Sequence, residues 1–334
     1  MTAAPAGALV GSGRGGGAEG VEARLRRLEL KTDAFMHWAS PDPFGQETVS
    51  PQAKCTKMSN LAEYDGKCNG DKGCEGLYDH TICLDYLLAS GGDALEEGDR
   101  CVVYDWGIRE QPQFGEVLSG APFDCDVYAF DPSPIAVKWA ETSELVRERE
   151  NYHFFGEGAG AHDGEVELRA YNWGQVSILR APSHHLARTR LAECTIEACP
   201  TYSFDEQDKF PLRVRSLASV MRELGHDHVD VLKVDVEGSE YLFLEKALDD
   251  GVLSKVDQLT VEWHHMGYDV RYGAASDPHI ATIVRLLEEE AGLRLVWTHN
   301  EGGWAANEGA HPYSDAGFEL RYQLATFLRV PKAG

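Results

Sequence analysis

The residues of this chain that could carry chemistry sit at the ends of short apolar runs. CVVYDW holds Asp105 and is followed by Gly107, CDVYAF runs into Asp131, and YHFF runs into the glycines between Gly156 and Gly160. VDVLKV runs into Asp235 and Glu237, and LTVEWHH carries Glu262, His264 and His265. Ionised carboxylates accept hydrogen bonds from hydroxyls and amines, so a row of them suits a ligand rich in both. Asp131, just past its run, is placed to accept two hydrogen bonds from the ribose diol of a nucleoside cofactor. Gly107 would let the backbone approach such a ligand closely. His264, His265, Asp235 and Glu237 are the candidate acid–base groups, and an imidazole with a pKa near ~6.5 accepts a proton at neutral pH. Adjacent residues on a strand point to opposite faces, so at most one of the two histidines borders a pocket. Asp235, Glu237 and Glu262 with a histidine also form a set that could hold a divalent metal ion, a reading kept second to a metal-free site.

Each of these residues has a plainer structural use. Asp131 before Pro132 is a common turn and helix-start pair. Glu237 could cap the helix that follows it. One of the histidines could be a hydrogen-bonded core residue, and Trp106, Trp173 and Trp263 could be core or cover rather than stacking platforms. Trp173, in the YNWGQ stretch, is the best of the three to touch an acceptor.

The elements that must position these residues follow from periodicity. Apolar runs ending in Asp or Gly suit buried parallel strands, and they recur at 101–106, 125–130, 152–155, 229–234 and 259–265. Helical spacing is predicted for Pro134–Glu148, Glu240–Leu248 and His279–Glu290, with a short helix at Phe114–Leu118. EVELRAY and QVSIL read as an inserted hairpin. LRLVWTH and LRYQLATFLRV have no helix between them and should form an antiparallel pair at one sheet edge. Strand alternating with helix predicts an α/β fold: a Rossmann-like, doubly wound, mostly parallel sheet with an antiparallel edge strand. Ligands of such sheets bind beyond the carboxyl ends of the strands, where the acidic residues lie.

The chain divides into a Gly/Ala-rich flexible tail over residues 1–20, an N-terminal extension with cysteines over 21–100 that packs on the core, and the main domain over 101–334. Glu22–Leu30 could form a short amphipathic helix. The net charge of −24 repels phosphate backbones, and no basic patch interrupts it, so a nucleic-acid partner is disfavoured. No apolar run is long enough to span a bilayer, and the first residues do not read as a signal peptide. The eight cysteines permit disulfides. A zinc site from Cys68, Cys74, His80 and Cys83 lacks the usual tight ligand pairs. Cys101 and Cys125 begin the first two core strands and should be close, and a disulfide there would favour the secretory-pathway lumen over the cytoplasm.

The stretch PLRVRSLASVMRELGHDHVDVLKVDVEGSEYLFLEKAL, followed by VDQLTVEWHH, resembles the signature of FkbM-type methyltransferases. The carrying pattern is L-K-x-D-x-E-G-x-E and then a strand ending V-E-x-H. The cysteine before each of the first two strands resembles the eukaryotic branch related to methyltransferase-like protein 24. The resemblance spans about Asp79 to His265. It implies a fold of the class I methyltransferase type, S-adenosyl-L-methionine as cofactor, and oxygen methylation of a small-molecule, sugar or glycan acceptor. Carried over by position, it sets Asp105 and Gly107 at the methionine end, Asp131 at the ribose, and Gly158 to Asp163 near the adenine. Asp235 and Glu237 would lie beside the sulfonium and acceptor. The chain departs from the pattern where a Gly-x-Gly loop is expected, with Arg109 in the second glycine's place. That departure leaves a catalytically silent binding or scaffold protein as the alternative. A nicotinamide oxidoreductase ranks last, because Gly-x-Gly-x-x-Gly is missing.

Overall fold

A computed structural model describes residues 55–65, 79–85, 87, 100–170, 176–177, 209–266, 277–301 and 320–330. The predicted tail, the helix at 22–30, Trp173, Cys68 and Cys74 lie outside the described residues.

Two short strands, β1 (Met58–Ser59) and β2 (Ile82–Cys83), pair antiparallel ahead of the main domain. There follow β3 (Val102–Trp106), α1 (Gln113–Leu118), β4 (Asp126–Phe130), α2 (Pro134–Thr142), α3 (Glu144–Glu148) and β5 (Tyr152–Phe155). Next come β6 (Gly158–Ala159), β7 (Gly164–Ala170), β8 (Val176–Ser177) and β9 (Lys209–Arg215). The chain then runs through α4 (Leu217–Leu224), β10 (Val229–Val234), α5 (Glu240–Asp249), β11 (Val256–Met266), α6 (Asp277–Leu286), β12 (Leu293–Glu301) and β13 (Leu320–Arg329).

The central sheet has seven strands in the order β12-β13-β11-β10-β3-β4-β5. The run from β11 to β5 is parallel throughout, and β13 is antiparallel to both β11 and β12. The antiparallel pair predicted from the last two runs is therefore present, with the reversed strand inserted one place in from the edge. A smaller sheet, β6-β9-β7-β8, carries the predicted hairpin. Its strand β9 lies in a stretch to which periodicity assigned no element.

Alternation along the parallel strands divides the core between the two sheet faces. Tyr104, Trp106, Phe130, Leu232 and Val234 pack with α4, α5 and α6. Val103, Val127, Ala129 and Val231 pack with α1 and with Leu61, Ile82 and Leu84 of the N-terminal segment. Both faces are thus covered, as buried parallel sheets require. The predicted helix over 134–148 is two helices. Ser143 between them is extended, and its hydroxyl accepts from the Val146 amide to start α3. A Ser that can bond the backbone in this way competes with helix continuation.

The segment around β2 is fastened to the sheet by side chains. Gln258, fully buried on β11, accepts from the Cys83 amide and donates to the Cys83 carbonyl, each at 2.9 Å. Thr326 on β13 donates to the Thr81 carbonyl. Disulfides join Cys55 to Cys83 and Cys101 to Cys125. The second pair has its Cα atoms 4.6 Å apart, as the cysteine positions predicted. With Cys83 bonded to Cys55, it is not a zinc ligand. Among the described residues no helix is long and apolar enough to cross a membrane.

Candidate functional site

A cavity of about 220 Å³ opens at the carboxyl ends of β3, β4 and β10, the position the fold class predicts. Gly107, Asp131, Gly158, Asp235, Glu237 and Glu262 all border it, so six of the strand-end residues singled out from sequence meet in one place. Asp79 and Glu262 complete an acidic wall.

Gly107 closes the end of β3 with φ +82°, and a Cβ there would lie 1.5 Å from the Asp235 carbonyl oxygen. The glycine is thus needed for the backbone of the β3 loop to pass that of the β10 loop. Close approach to a ligand, the reason expected from sequence, is secondary to this. Gly158 is similarly confined, since its Cβ would lie 2.9 Å from Pro132 Cγ.

Asp131 serves as turn residue and cavity residue together. Its Oδ2 accepts from the Arg109 amide at 2.7 Å and its Oδ1 from the Ser133 amide at 2.8 Å. Ser133 in turn caps α2 through the Ala136 amide. The carboxylate therefore fixes the loop after β3 and the start of α2 while lining the cavity. Each oxygen keeps a second lone pair for a ligand hydroxyl. Arg109, in the place of the expected glycine, adopts φ +50° and its guanidinium lies 3.0 Å from Glu110.

Asp105 does not border the cavity. It is fully buried and forms an ion pair at 3.1 Å with Lys233, whose ammonium also donates to the Gly107 carbonyl at 2.9 Å. Burial pushes the Asp105 carboxyl up, and Lys233 pulls it back. This corrects its assignment as a cofactor contact: its partner is structural. Asp163 is likewise removed from the cavity, because its Oδ1 accepts from the Ser216 amide at the start of α4. Lys233 was missed in the sequence. A lysine inside an apolar strand is a signal in itself, since buried cations are paired.

Asp235 sits at the centre of the polar cluster. Its Oδ2 lies 3.9 Å from both Lys233 Nζ and His80 Nε2, and its Oδ1 lies 3.9 Å from His264 Nε2. Burial alone would raise its pKa; Lys233 and the two imidazoles overcome this and hold it below the usual carboxylate range. Glu237 has φ +51° and a pKa pushed up to about 7, chiefly by burial, with Asp235 and Glu240 adding to the rise. It is not the cap of α5. Ser239 begins α5 with no side-chain cap bond, and Glu240 Oε2 accepts from the Gly238 amide just outside the helix at 2.8 Å.

His264 is buried beneath this wall. Its amide donates to Glu240 Oε1 at 2.8 Å, and its Nε2 lies 3.3 Å from Glu237 and 3.7 Å from Glu262. Burial would lower its pKa, but Glu237, Glu240 and Glu262 outweigh that and hold it well above the ordinary imidazole value. His264 does not line the cavity, and both its ring nitrogens face the carboxylates of Glu237, Glu240 and Glu262, so the structure places it behind the acidic wall rather than where a direct base would stand. The His265 side chain lies outside the described residues. Trp263 and Trp106 are fully buried core residues, and Trp106 stacks on Phe130 with ring centres 4.1 Å apart.

Sequence reading also missed what the N-terminal segment brings. Asp79 lines the cavity, and His80, 5% exposed, places Nδ1 3.0 Å from the Thr260 hydroxyl. Their distance in sequence from the other site residues hides this role.

The sequence model described as the methyltransferase FkbM domain matches residues 123–295, just over half of the chain. Over 50 residues the chain is 42% identical to "Probable methyltransferase-like protein 24" of Rattus norvegicus, and equally to that of Homo sapiens. These matches cover 15% of this chain and span 14% of the length of each relative. Among solved structures, the METTL16 MTase domain is similar with a TM-score of 0.35 and 8% identity, over 71% of this chain and 63% of that one. M. jannaschii TYW2 in complex with AdoMet aligns with a TM-score of 0.31 and 12% identity, over 69% of this chain and 70% of that one. By the match over residues 123–295, the chain belongs to the FkbM methyltransferase domain family.

Proposed function

We propose that this protein transfers a methyl group from S-adenosyl-L-methionine to an oxygen of a small-molecule, sugar or glycan acceptor. The observation that carries the reading is the cavity at the strand ends, bordered by Asp131 and by Asp235, Glu237 and Glu262. The donor set fits the cofactor. Asp131 has lone pairs left for a ribose diol, and the acidic wall complements a sulfonium and an ammonium group. When bound, the cofactor supplies an electrophilic methyl group for in-line displacement.

The chain's own residues have three tasks. Gly107 and Arg109 shape the loop that receives the cofactor, and Asp131 holds that loop in place through the Arg109 amide. The cavity walls align the acceptor oxygen with the methyl group. Glu237, on the cavity and beside His264, takes the acceptor hydroxyl's proton as the new C–O bond forms. The acidic wall would attract a sulfonium more strongly than the uncharged thioether that remains after transfer.

A second reading, a silent binding or scaffold protein, draws on Asp131 having both oxygens engaged by backbone amides and on Arg109 at the cavity wall. Calorimetry with S-adenosyl-L-methionine separates the two. The methyl-transfer reading expects saturable binding, and labelled methyl transferred to a fractionated extract. No binding at millimolar cofactor would favour the silent protein. The two disulfides support an oxidising compartment such as the secretory-pathway lumen.

A further inference from the structure

We infer that His80, Asp235 and Glu262 form a binding site for a first-row divalent metal ion at the edge of the cavity. The N-terminal segment supplies the nitrogen ligand and the central sheet supplies the two carboxylates. One ligand atom from each residue lies within 4.8 Å of the others.

The geometry of His80 points to a ligand. The residue is 5% exposed, and its Nε2 is buried with no hydrogen-bond partner. Its other nitrogen is held by the Thr260 hydroxyl at 3.0 Å, which fixes the ring. A histidine anchored through one nitrogen and open at the other is the usual arrangement of a metal ligand with its supporting partner. Nε2 then faces Asp235 Oδ2 at 3.9 Å. That distance is too long for a hydrogen bond. It suits two ligands of one ion, because metal–ligand distances of about 2.0–2.2 Å put neighbouring or opposed ligand atoms about 3–4.2 Å apart.

His264 is a poorer ligand. Its Nε2 already meets Glu237 at 3.3 Å and Glu262 at 3.7 Å, and its Nδ1 lies 3.3 Å from Glu240. Lys233 lies 3.9 Å from the same Asp235 oxygen that faces His80, but its ammonium is directed to Asp105 at 3.1 Å and to the Gly107 carbonyl. One imidazole and two carboxylates suit ions such as Mn2+ or Zn2+, and three protein ligands leave coordination positions open. Asp235 and Glu262 both line the cavity, so the open positions reach an acceptor's hydroxyl groups. The site itself stands on the His80 geometry. Its use in binding the acceptor rests on the methyl-transfer reading.

Mn2+ binding to the chelator-stripped full chain, followed by electron paramagnetic resonance, tests the inference. The expected result is one Mn2+ per chain, with affinity at least about tenfold weaker in His80→Ala and in Glu262→Gln. Absence of a bound ion in the folded wild type would overturn it. Binding equal to wild type in both variants would also overturn it, because ions would then be held by the acidic surface. Should His80→Ala fail to fold, Glu262→Gln decides. Cofactor binding to the same stripped protein is read separately, so a failure of the methyl-transfer reading leaves its own signature.

Discussion

A Cβ on Gly107 would stand 1.5 Å from the Asp235 carbonyl oxygen, so the loop after β3 and the loop after β10 pass each other with room for a hydrogen atom only. Gly107 also has φ +82°. Gly107→Ala should therefore cost at least about 3 kcal/mol, the sum of a left-handed backbone penalty and overpacking that two main chains must absorb. Urea unfolding of the variant checks this. A loss under 1 kcal/mol, as for ordinary surface changes, would mean that the loops separate easily.

Asp131→Ala removes the acceptor for the Arg109 and Ser133 amides and the proposed ribose contact together. Cofactor affinity should fall at least tenfold, in line with about 1.5–3 kcal/mol for hydrogen bonds to an ionised group. Calorimetry on the folded variant measures it, and unchanged affinity would leave Asp131 as a turn residue alone.

Glu237→Gln and His264→Gln should fail differently. The first should lower turnover by roughly 10²–10⁴, as for loss of a general base, a larger effect than the loss of one charge from the acidic wall has on cofactor affinity. The second removes the cation among Glu237, Glu240 and Glu262, of which Glu240 is fully buried. Breaking a buried pair in this way costs about 3–5 kcal/mol, so His264→Gln should show first as a lowered Tm. Full stability with lost turnover would return His264 to a direct role.

His228 supplies a pH dependence far from the cavity. Asp230 and Asp257 raise its pKa to about 10. The unfolded value is near ~6.5, so the folded state binds the extra proton between the two. Its contribution to stability is full below the unfolded pKa and is lost as pH rises toward the folded one. The stability gap between wild type and His228→Gln should be widest near pH 6 and should close by pH 10. Half of the side chain is exposed, so the gap should be small and should shrink in high salt.

Cys101→Ser opens a loop of 24 residues between two neighbouring strands. Chain entropy places the cost at about 3 kcal/mol. Thermal unfolding with and without reductant should show the wild type falling to the level of the variant when the Cys55–Cys83 bond is removed from both.

The strands of the parallel sheet were legible because each is apolar on both faces, and the acidic residues past their ends marked the cavity. The break at Ser143 was not, because helical spacing of apolar residues continues through it and only the hydroxyl's bond to Val146 starts a new helix. β9 was hidden by Pro211 within an alternating run, which argues against a strand unless its position tolerates a missing amide. Asp105 read as a site residue because its type and place were right. Its side chain points at Lys233, and a contact between residues 128 apart in sequence has no local signature. His80 was legible as a metal-type residue, but only the fold joins it to Thr260 and Asp235.

The fastening of the β2 segment bears on what counts as a severable unit. The family match begins at Phe123, beyond β3, yet β3 is the strand that hydrogen-bonds to both β4 and β10. A fragment cut at that boundary would split the sheet at its middle. A cut at residue 100 would keep the sheet but strip Gln258, Thr260 and Thr326 of their bonds to the 80–83 stretch. It would also expose the apolar face that Leu61, Ile82 and Leu84 cover. The span of the family match and the span of the packed structure thus differ in this chain, and the bonds that hold the packed structure together reach back to Cys55.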